Sequence, residues 1–151
     1  DKAYIALNAC FEKQILIIYV LVSQHFHQSY LVLRVSKQFF LYYLVKWLDS
    51  DIICLQEVDT SYFNEILKEE LSELGYEGLF AKKCMGIPEG EALFFKKNKF
   101  YLQETKTVYL NDMAECTFQH TEIPLFWEVA LLATLRHKLS DSLLVLCKLF
   151  I

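Results

Sequence analysis

The sequence predicts an α/β chain of the α+β kind, with a mixed, largely antiparallel sheet and flanking helices, on three observations. Helical spacing over residues 34–48 leads into a short apolar run at 52–55, a second helical stripe follows it, and most of the remainder alternates like strands. Of the 151 residues, 54% are apolar and 23% charged, which excludes a disordered or collagen-like chain and requires a packed core. One domain is the expectation at this length, because two full cores would not fit.

Residues 15–22 form the longest unbroken apolar run and read as a buried strand or a helix segment, while the polar patch 23–29 reads as a loop. From 34 to 48, apolar or aromatic residues at 35, 39, 42, 43 and 47 keep helical spacing, with Lys37 and Lys46 on the wet side, so Tyr42, Tyr43 and Trp47 are spaced like core. Asp49, Ser50 and Asp51 break that pattern. Residues 52–55 then hold two β-branched members in an apolar run, the mark of a strand buried on both faces, and the strand is expected to end at Gln56 and Glu57. Asp59, Thr60 or Ser61 can cap the next helix, in which Tyr62, Phe63, Ile66, Leu67, Leu71 and Leu74 make one apolar stripe and Gly75 supplies the stop. Strands are expected at 79–82 and 91–96, on either side of a loop holding Gly86, Pro88 and Gly90. Lys97, Asn98 and Lys99 make a turn, and with 100–109 alternating beyond it, residues 91–109 read as a β-hairpin. Residues 111–124 lack a period and read as a loop, and 127–136 and 142–149 read as strands joined by the polar turn 137–141.

Composition narrows the function classes. Fifteen Lys and Arg against nineteen Asp and Glu give a net charge of −4, without the basic surplus of a protein that holds nucleic acid mainly through phosphate contacts. The five cysteines, at 10, 54, 84, 116 and 147, show no Cys-x-x-Cys or Cys/His spacing for zinc and fit reduced thiols in an intracellular compartment. The apolar run at 15–22 is far shorter than the roughly 18–20 residues that cross a bilayer, so no membrane span is expected. Four Gly and two Pro against twelve Phe and nine Tyr suggest part of a larger core.

Glu57 is placed at the carboxyl end of the most buried strand, where a sheet can hold a side chain rigidly at the edge of a crevice. A carboxylate there suits Mg²⁺, which takes oxygen ligands, keeps several waters and uses one or two protein carboxylates plus substrate phosphate. The plainer reading is a solvated strand-end acid, with Asp59 merely opening the next helix. His25 and His27, two apart, lack a third ligand nearby and read as loop or surface residues; His120 and His137 lie in expected turns. Lys96, Lys97 and Lys99 beside Phe100 could meet a single nucleic-acid strand, although a solvated turn explains them as well. Cys54 reads as a small apolar residue of the buried strand.

The string Asp51-Ile52-Ile53-Cys54-Leu55-Gln56-Glu57-Val58-Asp59 resembles the Asp-Ile-(Ile/Leu)-Cys-Leu-Gln-Glu-Val signature of the endonuclease/exonuclease/phosphatase superfamily, in the branch of nocturnin, the Angel proteins, cytoplasmic deadenylases and the 2′-phosphodiesterase. The helix ending at Gly75-Tyr76-Glu77-Gly78 is similar to the family's helix and strand entry. Gly90-Glu91-Ala92-Leu93-Phe94-Phe95-Lys96 through Phe100 is similar to its Gly-x-Ala-x-Phe hairpin. Lys37-Gln38 and the residues from Leu135 to Leu146 extend the resemblance, which covers about 34–146, with 1–33 diverged. The resemblance implies a four-layer α/β/β/α sandwich, partial here, and Mg²⁺-dependent phosphodiester cleavage with Glu57 as the metal ligand. The short loop between 80 and 92 favours the 2′-phosphodiesterase subgroup, implying 2′,5′-linked oligoadenylate or the 3′ poly(A) ends of RNA as substrate, in the mitochondria or the cytoplasm.

The family's first-strand Asn follows a Tyr, whereas Tyr19 is followed by Val20, and a second register puts Asn8 in that role. Its Thr-His-Leu, Gly-Asp-x-Asn and Asp-His motifs should follow residues 142–149, where Cys147-Lys148-Leu149-Phe150-Ile151 stands instead. The expectation is therefore a single incomplete domain over 1–151, the N-terminal half of the family's fold, with little or no activity of its own. The alternative from another class is a catalytically silent interaction module that self-associates through an uncovered apolar face.

Overall fold

A computed structural model describes residues 5–6, 17–21, 41–110 and 128–149. They form two sheets. The first has five strands in the order β1-β2-β3-β5-β4: β1 (Ile5–Ala6), β2 (Ile17–Leu21), β3 (Ile52–Asp59), β4 (Tyr76–Lys82) and β5 (Glu89–Lys96). The second has three in the order β6-β7-β8: β6 (Phe100–Tyr109), β7 (Val129–His137) and β8 (Leu143–Lys148). Only β2 and β3 run parallel among the described pairs, so the first sheet is mixed and largely antiparallel, as expected. Parallel neighbours need a crossover connection, and helix α1 (41–48) lies within it. The apolar run at 15–22 is thus a strand, β2; the polar patch 23–29 and residues 34–40 of the expected first helix lie outside the described residues.

Two apolar clusters sit on either side of the first sheet. On one side, Leu41 and Val45 of α1 and Tyr62, Phe63, Leu67 and Leu71 of the second helix pack on Ile53, Leu55, Val58, Ala92 and Phe94. On the other, Ile52, Cys54, Leu93 and Phe95 meet Val129, Leu131, Ala133, Leu135 and Leu146 of the second sheet. The described layers are therefore helices, sheet and sheet, with β3 and β5 buried on both faces at the centre. Tyr43 and Trp47 are exposed and Tyr42 half-buried, contrary to their core-like spacing. Residues 41–48 are apolar almost all round, so periodicity could not choose the face, and the aliphatic Leu41 and Val45 take it.

The second helix, α2, comprises Thr60–Tyr62, a π-helical turn Phe63–Leu67 and Lys68–Glu73. Asp59 caps it, its Oδ1 accepting from the Tyr62 N–H at 2.9 Å, and Gly75 ends it at φ 88°. Residues 91–109 are not a hairpin. Both edges of β5 are taken, by β3 and β4, so the chain arches through 97–99 and delivers Phe100 to the second sheet. The arch is pinned from outside: the Lys96, Lys97 and Lys138 N–H groups donate to the carbonyls of Asp51, Gly75 and Lys99 at 3.0, 2.9 and 2.8 Å. The hairpin β7–β8 forms as expected.

Gly90 lies between β4 and the end of β3, where a Cβ would meet the Ala81 carbonyl oxygen, a backbone atom that cannot swing aside. Gly90→Ala is expected to lower stability by about 2 kcal/mol through overpacking, measured by urea unfolding with an unchanged slope.

Candidate metal centre

From Ile52 to Leu55, β3 alternates regularly: Ile52 and Cys54 face the second sheet, Ile53 and Leu55 the helices. Continued alternation would carry Glu57 into the apolar layer under α1 and α2. A β-bulge prevents this. Leu55 pairs with Ala92 and Val58 with Gly90, so Gln56 and Glu57 together face the single residue Glu91. Val58 returns to the helix side, and Glu57 is left half-exposed at φ 53°, in the left-handed region that a glutamate rarely adopts. The strand does not end at Gln56 and Glu57 as expected; its ladder resumes and runs to Asp59. A bulge of this kind re-aims a side chain next to a site.

The surroundings hold the bulge in place. The loop 83–88 is fastened to the start of α2, with the Thr60 N–H and hydroxyl both donating to the Pro88 carbonyl at 2.8 and 3.1 Å. Asp59 opens the helix, one of its carboxylate oxygens taken by the cap. Glu91, facing the bulge, is fully buried and ion-paired at 3.2 Å with Lys148, the last residue of β8. Nearby, Lys83 pairs with Glu128 at 3.1 Å. Burial raises the Glu91 carboxyl above its ordinary value, against the opposing pull of Lys148 and Lys83, with Glu128 adding to the rise. Burial likewise pushes the Cys54 thiol up to about 12, Lys148 opposing and Glu91 adding.

Among the described residues no group of three or more His, Cys, Asp or Glu is placed to hold a metal. What the site offers is one half-exposed carboxylate, on a left-handed backbone bulge, with no hydrogen-bond or ion-pair partner among the described residues. That donor set fits Mg²⁺, a hard cation that retains water and completes its shell with substrate phosphate. Asn8, His25, His27 and His120 lie outside the described residues. His137 accepts a structural role, its Nδ1 2.8 Å from the Ser140 hydroxyl and its ring against Phe100. Of the lysines at 96–99, Lys96 and Lys99 pair with the buried Asp51 at 3.3 and 2.7 Å, and the exposed Lys97 reaches Ser72 at 3.2 Å. They also sit at the amino end of β3, opposite Glu57. Sequence reasoning misses Glu91 and Lys148; for Lys148 the available signal is a lone charge interrupting the apolar run 143–151, whereas Glu91 merely opens the apolar run 92–95 and carries no such mark.

Two outcomes follow from this geometry. Glu57→Gly relieves the left-handed strain and is expected to raise stability by about 1 kcal/mol, read by chemical denaturation. Thiol labelling of the folded chain at pH 8 is expected to modify Cys147, which is exposed, and to spare Cys54, which should react only on unfolding.

No family model matches the chain. Over 75 residues it is 37% identical to the CCR4-Not complex 3′-5′-exoribonuclease subunit Ccr4 of Emericella nidulans, a match covering 44% of this chain and 11% of that protein. The chain thus spans only a small part of the curated relatives it matches. The human nocturnin catalytic domain, solved with bound sulfate, superposes with a TM-score of 0.63 at 26% identity, over 75% of this chain and 41% of that one. ANGEL2, a 2′,3′-cyclic phosphatase solved with adenosine-2′,3′-vanadate, superposes at 0.61 and 24% identity over 74% and 30%, a likeness of fold. No helix among the described residues is long and apolar enough to cross a membrane. A mixed sheet packed on a second sheet, with helices on its outer face, makes this chain similar in fold to proteins of the endonuclease/exonuclease/phosphatase superfamily, nocturnin and ANGEL2 among them, and the partial match to Ccr4 supports the same superfamily.

Proposed function

We propose that the chain carries the metal-ligand half of a Mg²⁺-dependent phosphodiesterase site acting on a terminal ribonucleotide, with Glu57 as the ligand. The observation that carries the reading is Glu57, held in a left-handed bulge near the end of the central buried strand, with its carboxylate unpartnered among the described residues. Backbone strain persists only where the surroundings impose it, and it collects at functional sites. Similarity to an exoribonuclease subunit and to nocturnin supports a phosphodiester or phosphate ester of RNA as the substrate class. A bound Mg²⁺ would supply neutralisation of phosphate charge as water attacks. Glu57 would anchor it through one ionised oxygen ligand, and the sheet would keep that ligand from reorienting. Within the class, the short loop at 83–88 favours 2′,5′-linked oligoadenylate or a 3′ poly(A) end.

A second reading rests on a different observation. The outward face of β8 exposes Leu143 and Val145 by 58% and 68%, and no described residue covers them. This suits a catalytically silent module that binds a partner or a second copy through that face.

Cleavage of 2′,5′- and 3′,5′-linked oligoadenylate with Mg²⁺, run beside Glu57→Ala, separates the two. Under the first reading whatever turnover the chain supports falls at least 100-fold on substitution while the thermal midpoint does not fall. Absence of turnover in both proteins, with dimers in light scattering, would put the second reading ahead.

A further inference from the structure

The contact between the two sheets is apolar over most of its area, with Cys54, Leu93 and Phe95 against Leu131, Ala133, Leu135 and Leu146. One rung departs from this. Glu91 and Lys148, 0% and 2% exposed, place a full ion pair in the core, and neither carboxylate oxygen of Glu91 has an aligned hydrogen-bond donor. A buried pair of this kind is a poor adhesive, because desolvation cancels most of the attraction and apolar residues of similar volume often stabilise as well or better. Its position suggests another use. Glu91 is the single β5 residue facing Gln56 and Glu57, and Lys148 closes β8 in the opposite sheet. The pair therefore ties the bulge's partner strand to the second sheet at the one rung where the ladder is irregular. Charges of opposite sign fix a relative position more narrowly than two methyl groups do, because sliding apart exposes each to an unpaired, low-dielectric setting.

We propose that the Glu91–Lys148 pair is a positioning element for Glu57, holding the bulge in the left-handed conformation from which the carboxylate meets a divalent cation. The metal part of this inference rests on Glu57 being a cation ligand; the mechanical part does not. Neither Glu91 nor Lys148 need touch the cation.

The test compares the full chain with the apolar double variant Glu91→Leu/Lys148→Met, the charge-swapped Glu91→Lys/Lys148→Glu, and Glu57→Gln. Three quantities are read: the thermal midpoint, amide hydrogen exchange at residues 56–58, and Mn²⁺ affinity by electron paramagnetic resonance. The apolar variant is expected to keep the wild-type midpoint or exceed it, to exchange at 56–58 at least tenfold faster, and to bind Mn²⁺ at least fivefold more weakly. The swap is expected to return both local readouts toward wild type. Wild-type exchange and wild-type Mn²⁺ affinity in the apolar variant would overturn the proposal. So would a swapped chain that folds yet restores neither, which decides the matter should the apolar variant fail to fold. If Glu57→Gln binds Mn²⁺ as tightly as wild type, the cation-ligand reading falls with the metal part, and exchange at 56–58 alone judges the mechanical part.

Discussion

Strand β3 is enclosed on both faces, by helices on one side and a second sheet on the other, and a strand so placed has no room for an unpartnered charge in its middle. A carboxylate can leave this strand only where the ladder is broken. The extra residue at Gln56 and Glu57 supplies the break, and much of the neighbouring structure is explained by what it takes to keep it there. Gly90 must lack a side chain for β4 and β5 to close beside it. Asp59 must fold back on the helix it opens, and Pro88 must accept both donors of Thr60.

The charges of the core divide between the two ends of the central strands. At the amino end of β3, Asp51 draws in Lys96 and Lys99, while Lys96 also meets the exposed Asp49 at 2.8 Å. These bonds help turn the chain from one sheet to the other and engage Lys96 and Lys99 within the fold. Asp51 is the buried acid that Lys96 and Lys99 share, whereas Asp49, largely in water, adds an exposed contact to Lys96 that contributes little. At the other end, Glu91, Lys148, Lys83 and Glu128 neutralise one another between the sheets. Glu57 stands just outside that set.

Much of this was legible in the residues. The apolar run at 52–55 announced a doubly buried strand, the stripe from Tyr62 to Leu74 announced a helix with its cap and stop, and Glu57 was singled out from its place at the strand's end. Three readings went astray for identifiable reasons. Alternation in 91–109 identified strands without saying which strand each would pair with. Helical spacing at 41–48 could not select a face on an apolar helix. The short run 52–55 gave no warning that the strand resumes after two extra residues, because a bulge is a property of the partner strand's register as much as of its own sequence.

Local chemistry, then, was settled by the sequence itself: which segments are apolar enough to be buried, where a helix can start and stop, and which carboxylate follows the apolar run 52–55. Those depend on side chains close together in the chain. The tertiary structure alone decided that β5 and β6 part company, that Glu57 lies in a left-handed bulge, and that Glu91 meets Lys148, 57 positions further along the chain. Each of these is a contest between strands for the same edges and between charges for the same buried space, and only the assembled sheets determine its outcome.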